Sequence, residues 1–447
     1  MTFAFLVSGA TLLGKLFDTV SFLSLFVFDL SLLLSLQSLF TLCWMLYFWN
    51  DPGRNANKPS QKIFAGSQIG FTALLPARHE DGVIADTIRA ISNIDYPEHL
   101  KELYVLCRGD DTSTIEVVFK IISELNKPNI QLVTFFDDPI NKPHALNIGL
   151  SQSRQPVVCV FDAEDQPHPD IYRVINSEFL QKKCDVVQSG VQLMNYRSTW
   201  FSAFNVLEYF FWFKSGLPFF YRFGNITPLG GNSVFVKTEL LKSIGGWDEK
   251  CLTEDADIAF RLKLAGAKFC QIYDEETSTR EETPDTLISL IRQRTRWNQG
   301  FLQVFFKFDW SRIPGLTPKL MGMYILLSPF ISLFTVLYFP AGVLIAVFTT
   351  SPVTISLLSF LPFYLFAGQI LVTLFGMWEF GQKYHQKISW IVYLRIIIFY
   401  FPYQWVLAAS SLRSIEKYIK GINLWEKTFH PNAHRQSDIA ALKPDVI

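Results

Sequence analysis

Several features are missing from this sequence, and each absence excludes something. The six cysteines (Cys43, Cys107, Cys159, Cys184, Cys251 and Cys270) form no CxxC pair and no zinc-type Cys/His spacing. That pattern excludes a sulfur-built metal site, suits a reduced compartment, and reads as six small buried apolar side chains. Net charge is zero and only 18% of residues are charged, so there is no basic footprint of a nucleic-acid partner. No internal repeat or low-complexity tract is found. No small-residue cleavage site follows the first long apolar run, so that run is read as a retained anchor and not as a leader peptide.

What the chain has in excess is apolar and aromatic side chains: 49% and 15% of its 447 residues, with 42 Phe. That is too apolar for disorder and suits segments that meet lipid and its interfaces. Residues 21–49 exceed the roughly 20 apolar residues that span hydrocarbon. Asp29 inside them is read as a carboxyl near an interface or against a neighbouring helix, and residues 1–20, with Lys15 and Asp18, as lying on the membrane surface. Arg54, Lys58 and Lys62 directly after the anchor place that side in the cytoplasm by the positive-inside rule. Further spans are expected near 319–348, 353–378 and 389–412, followed by a basic tail with Arg413, Lys417, Lys420 and Lys427. Three full crossings would carry this tail outside while its charge places it inside. This conflict leaves open a partly interfacial position for the Arg395-bearing segment.

Between the membrane segments, short β-rich runs (FTALLPA, ELYVLC, IQLVTFF, PVVCVFDA, CDVVQSG) alternate with helix-length segments. This predicts an α/β domain with a mostly parallel sheet, whose ligands bind beyond the carboxyl ends of the strands. The expected division is an N-terminal anchor at 1–50, a linker at 51–70, the α/β domain at 71–310, a transmembrane region at 311–412 and an interfacial tail at 413–447.

Three local patterns carry chemistry. VVCVFDAEDQPHPD ends a strand in Asp162, Glu164 and Asp165, dense carboxylates that suit a divalent cation bridging two phosphates. They equally suit a solvated turn before a helix. CLTEDADIAFRLKLAG puts Thr253, Glu254, Asp255 and Asp257 at a helix entrance, where Asp255 can serve as a general base and Asp257 as a cap. LIRQRTRWNQG sets Gln293 and Arg296 on one helix face beside Trp297. Arg suits diphosphate and Trp a sugar ring, although a lipid-facing amphipathic helix has the same look.

In this order and between membrane spans, the three patterns resemble the membrane-embedded family 2 glycosyltransferases, the group containing cellulose, hyaluronan and chitin synthases. The likeness covers nearly the whole chain. It implies a GT-A-like domain inserted between transmembrane helices, with a metal motif at Asp162, Glu164 and Asp165, a TED triplet at Thr253–Asp255 and a QxxRW motif at Gln293–Trp297. Glu164 stands where many relatives have Asp, which leaves Glu164 or Asp165 to complete the metal site. LLPARHE, ending in Glu80, resembles the opening strand. Asp111 falls where a uracil-contacting carboxylate is usual, though its loop departs from the usual form. Lys142 resembles a lysine near the donor phosphates, Asn232 lies on a loop beside the acceptor, and WEKTFH resembles a C-terminal interfacial segment.

The resemblance implies inverting transfer from a UDP-sugar with Mg²⁺ or Mn²⁺. Asp255 is then the base, Glu254 and Arg296 act beside it, and Gln293 and Trp297 hold the acceptor. It also implies a multi-pass protein of the plasma (inner) membrane with its catalytic domain cytoplasmic, and leaves room for secretion partner subunits. The expected product is a growing polysaccharide. The alternatives are a glycolipid made by single transfers and, in another class, an inactive scaffold or a transporter.

Overall fold

The computed structural model describes residues 22–50, 64–348, 357, 360–423 and 426. Segment 1–20, expected on the membrane surface, the charged linker residues, the start of the expected 353–378 span and most of the tail lie outside them.

Strand β1 (Phe71–Ala77) pairs in parallel with β2 (Lys101–Arg108) on one side and β4 (Val157–Val160) on the other. With β3 (Ile130–Phe135), β5 (Val186–Ser189), β7 (Val234–Lys237) and β8 (Phe269–Ile272) they form a seven-stranded sheet in the order β3-β2-β1-β4-β7-β5-β8. Only β7 runs antiparallel to its neighbours. The five runs expected as strands are all strands, whereas GGNSVF, read as a loop, leads into β7. A small parallel pair, β6 (Val191–Leu193) and β9 (Thr279–Glu281), stands apart.

The alternation of side chains along the strands separates two cores. Phe71, Ala73, Leu75, Val105, Cys159 and Phe161 share one core with residues of α2 (Ile84–Ser92), α3 (Thr112–Leu125) and α5 (Ile171–Lys182). Leu74, Tyr104, Leu106, Val158 and Val160 share the other with α4 (Lys142–Gln152), α8 (Thr238–Ser243) and α9 (Glu254–Leu264). Because β1 sends its following connection to one neighbour and β4 lies on its other side, a crevice opens at their carboxyl ends.

One expectation about cysteine is corrected. Cys107, Cys159 and Cys251 are buried and free, Cys43 is exposed, and Cys184 is joined to Cys270 in a disulfide with Cα atoms 6.0 Å apart. The parallel register that sets Val187 opposite Cys270 brings the pair together across 86 residues of sequence, which no local spacing reveals.

Among the described residues four helices are long and apolar enough to cross a membrane: α1 (Phe22–Leu46) and, after the short α11 (Asp309–Arg312), α12 (Leu316–Phe348), α13 (Leu361–Lys383) and α14 (Trp390–Ile419). A further segment, not anticipated, docks the α/β domain onto them: α6 (Ser202–Phe211), a π-helical turn at Trp212–Gly216, and α7 (Leu217–Gly224). Phe211 packs on Trp49, Phe219 on Phe40, and Lys214 is ion-paired with Glu379 of α13 at 2.5 Å.

Just ahead of α14 the Lys387 carbonyl accepts from Arg197, and along the helix Phe399 meets Trp200 and Tyr403 stacks on Phe204. Its C-terminal half then runs beside α10 (Leu287–Lys307): Asn298 donates to Ser411 Oγ at 3.0 Å and Phe306 stacks on Tyr418. Both ends of α14 therefore meet the α/β domain, while its middle packs on α12 and α13, Ala408 with Leu333 and Val336 and Phe401 beside Phe366. The helix also continues to Ile419, taking Arg413 and Lys417 out of the expected tail. α13 returns as well, its end at Tyr384 reaching Tyr273 with hydroxyls 3.0 Å apart.

Candidate active site

A cleft of about 760 Å³ lies beyond the carboxyl ends of β1, β2 and β4, and it reaches α9, α10 and the apolar helices α1 and α12. Lys142 stands at the start of α4, which is capped by Asn141 accepting from the His144 N–H at 3.0 Å. Its ammonium is paired with Asp162, donates to the Gly231 carbonyl at 2.9 Å and lies 3.9 Å from Glu254. Burial works against its charge, but Asp162 and Glu254 overcome that and hold its pKa above the ordinary range. Gly231 permits this approach: a Cβ there would lie 3.3 Å from Lys142 Nζ and 3.5 Å from Asp255 Oδ2.

Asp162 and Glu164 line the cleft. Asp165 is fully buried behind them, one oxygen accepting from the Asp162 N–H at 2.9 Å and the other from Asn232 Nδ2 at 2.7 Å. Burial first, then the charges of Asp162 and Glu164, push its pKa well up. Among the described residues no group of three or more His, Cys, Asp or Glu side chains is arranged to hold a metal ion. Two carboxylates at a cleft wall nevertheless fit Mg²⁺ or Mn²⁺, which take one or two from protein when phosphate and water complete the shell. Asn232, expected to meet sugar, has its amide nitrogen committed to Asp165.

Asp255 at the first turn of α9 is partly buried, with one oxygen on the Ala256 N–H at 2.8 Å. Glu254 beside it is buried. Burial, and then the neighbouring Asp255, raise Glu254 to about 7 against the pull of Lys142. Asp255 is raised too, chiefly by burial. Asp257 is not in the cleft: it is buried against Lys307 at 2.6 Å and Arg261 at 3.5 Å.

Gln293, Arg296 and Trp297 all face the cleft from α10. Gln293 Oε1 is buried with no hydrogen-bond partner among the described residues, the condition of a group awaiting a ligand hydroxyl. α10 can approach α9 because residue 300 is glycine, where a Cβ would come 2.3 Å from Thr253 Oγ1. Glu80 lines the cleft's far wall, but Asp111 does not: its carboxylate is buried, accepting from the His79 N–H at 2.6 Å and capping α3. It shapes the loop carrying Glu80 instead of opening onto the cleft.

Four cleft residues escaped sequence reading. Arg294 is paired with Glu208 and lies 4.6 Å from the centre of the Trp297 ring, fixing that ring's orientation. Arg78 and Arg108 also line the cleft, Arg78 paired with Asp110 at 3.5 Å and Arg108 with Asp110 at 3.3 Å and Asp138 at 3.0 Å. Glu281 on β9 is buried beside the metal motif, its pKa raised by burial and then by Asp165, Glu164 and Asp162. Arg294 was visible in the QxxRW string; Glu281 lies on a three-residue strand that no pattern marks.

The model of the family described as "Glycosyltransferase like family 2" matches residues 68–300, just over half of the chain. The chain belongs to that family. This transferase is 24% identical over 383 residues to the probable glycosyltransferase YdaM of Bacillus subtilis, covering 81% of this chain and 87% of that one. It is 28% identical over 256 residues to the beta-monoglucosyldiacylglycerol synthase of Trichormus variabilis (57% and 53% of the two lengths). It is 26% identical over 276 residues to the poly-beta-1,6-N-acetyl-D-glucosamine synthase of Staphylococcus epidermidis (60% and 63%). The transferase thus spans about half to two thirds of the latter two relatives. Among solved structures, the mannosyltransferase PcManGT of Pyrobaculum calidifontis, in complex with GDP-Man and Mn²⁺, superposes with TM-score 0.58 at 18% identity, covering 87% of this chain and 99% of that one. The fold is shared: a GT-A-like, mostly parallel sheet domain flanked by apolar helices.

Proposed function

We propose that this transferase moves a sugar, with inversion, from a nucleotide-sugar donor to the hydroxyl of an acceptor held at the membrane, with Asp255 as the base. The observation that carries the reading is the convergence on one cleft of Asp162 and Glu164, the Glu254–Asp255 pair, and Gln293, Arg296 and Trp297. Donor and metal are supported by the donor-set chemistry, and a neighbour of the same fold binds GDP-Man with Mn²⁺. UDP is the donor nucleotide we expect.

Asp162 and Glu164 would hold Mg²⁺ or Mn²⁺, which when bound offsets the charge of the diphosphate. Lys142 and Arg296 stand where charge grows on the departing nucleotide, and fixed cations there stabilise the transition state. Asp255 accepts the acceptor proton as the hydroxyl oxygen attacks the anomeric carbon from the face opposite the diphosphate. Its raised pKa makes it a better proton acceptor than a solvated carboxylate. Buried Glu254 sits between Lys142 and Asp255 and keeps that base in place. Trp297, braced by Arg294, offers a flat face to the acceptor ring, and Gln293 Oε1 a hydroxyl contact.

The protein lies in a membrane through its apolar helices, and we expect the catalytic side to be cytoplasmic. Processive polysaccharide synthesis is favoured by the Gln293–Trp297 motif and by the likeness to the poly-N-acetylglucosamine synthase. Single transfers to lipid are favoured by the likeness to the glucolipid synthase and by the shape of the cleft's membrane end. The test is nucleotide release by the purified protein across a panel of UDP- and GDP-sugars with and without Mn²⁺. Release that needs metal and disappears in Asp255→Asn supports the reading; no release from any donor contradicts it.

A further inference from the structure

Arg395 lies in the second turn of α14 and is exposed, on a face it shares with Ile391, Leu394 and Ile398, all exposed too. A cation on the apolar face of a helix long and apolar enough to cross a membrane is costly unless it reaches a counter-charge. Among the described residues no carboxylate supplies one, either to Arg395 or to the exposed Arg197, Lys383 and Lys387. Glu379 and Glu275 are committed to Lys214, at 2.5 and 3.6 Å. Asp274 accepts from the Glu276 N–H and the Thr277 hydroxyl of its own loop.

These cations gather at the turn that joins α13 to α14. Lys383 ends α13, and the Lys387 carbonyl in the turn accepts from Arg197 at 2.5 Å and from the Tyr196 hydroxyl at 3.3 Å. Helical side chains lean toward the N-terminus, so Arg395, about 8 Å along the axis from Trp390, reaches back toward the turn. Trp378 and Trp390, 49% and 70% exposed, flank it, and tryptophans so placed mark the headgroup level of a bilayer. The turn is also fastened to the α/β domain, the Tyr384 hydroxyl lying 3.0 Å from that of Tyr273 and 3.2 Å from Ser278 Oγ. None of Arg197, Lys383, Lys387, Trp390 and Arg395 lines the catalytic cleft.

We infer that this turn binds an anionic phospholipid of the surrounding bilayer, its phosphate among Lys383, Lys387 and Arg395 and its chains along Ile391, Leu394 and Ile398. Cations clustered at the ends of membrane helices draw anionic headgroups, and a zwitterionic headgroup, which brings its own cation, gains less. A free phosphate would meet the cations but leave the apolar face above them uncovered. The site is separate from the cleft, so the lipid held here is not the acceptor, and the inference stands independently of the transferase reading.

The full chain, purified in detergent, is titrated with dioctanoylphosphatidylglycerol and with dioctanoylphosphatidylcholine, and bound lipid is counted by native mass spectrometry. The expected result is an apparent Kd about tenfold or more lower for the anionic lipid, in the wild-type chain and equally in Asp255→Asn. The preference should shrink to about twofold or less in Lys383→Gln/Lys387→Gln/Arg395→Gln, and millimolar inorganic phosphate should not displace the lipid. Should the triple variant lose its melting transition, Arg395→Gln alone is expected to reduce the preference about threefold. Equal binding of the two lipids, a preference that survives the triple variant (or Arg395→Gln, where that variant stands in), or displacement by inorganic phosphate overturns the site.

Discussion

Asp255 is the group on which the chemistry turns, and its neighbours set its behaviour. Asp255→Asn keeps the shape but cannot take a proton, so kcat should fall by about 10²–10⁴-fold with donor affinity little changed, as measured by steady-state kinetics and nucleotide titration. The pH profile follows from the raised pair. A carboxylate base works deprotonated, and raising its pKa moves protonation to higher pH. With Glu254 near 7 and Asp255 raised beside it, kcat/KM should climb as pH rises toward 7 and fall on acidification below it. A rate independent of pH between 5 and 8 would contradict this. Asp165 and Glu164 separate by a different pair of measurements: Glu164→Gln should weaken Mn²⁺ activation. Asp165→Asn, which leaves an amide nitrogen facing a donor, should cost about 1–3 kcal/mol of stability. The sequence displayed Asp162, Glu254, Asp255 and Gln293–Trp297 because each motif is local. It did not reveal that Asp165 faces inward or that Asp111 is spent on His79, since both depend on backbone donors supplied by other segments.

At the scale of elements, the site depends on how closely α10 is held against α9. Gly300→Val would drive a branched side chain into Thr253, moving the turn that carries Gln293 and Trp297. Melting temperature and kcat should fall together, and a smaller residue at 253 (Thr253→Ala) should restore part of both. The π-helical turn matters for a separate reason. Lys214 (2% exposed) is buried against Glu379 (10% exposed), so Lys214→Ala leaves a carboxylate buried without its partner and should cost about 3–5 kcal/mol, read by thermal or denaturant unfolding. The double change Lys214→Met with Glu379→Leu should recover only part of it, because Glu275, 3.6 Å from Lys214 and also buried, loses the same cation. The five strand runs were legible because each is a short apolar run, of β-branched, aromatic and leucine side chains, bounded by polar or turn residues. β7 was hidden by the glycine-rich GGNS before it, and the 202–224 segment by its resemblance to ordinary core sequence.

At the scale of the whole molecule, membrane topology and catalysis meet at the cleft. The apolar spans were readable from length alone, but the contacts that tie both ends of a 30-residue apolar helix to the α/β domain were not. What distinguishes α14 is its series of partners from Lys387 to Tyr418, and they put the end of α14 on the side of the catalytic domain. A cysteine at Lys420 in sealed inside-out vesicles should therefore react with a membrane-impermeant maleimide. The central claim, that one cleft joins donor, base and membrane acceptor, is tested most directly by nucleotide release from purified protein with a nucleotide-sugar panel, Mn²⁺ and the Asp255→Asn control. We predict metal-dependent release from at least one donor that falls by a hundredfold or more in the variant. Release unaffected by Asp255→Asn, or none from any donor, would contradict the account.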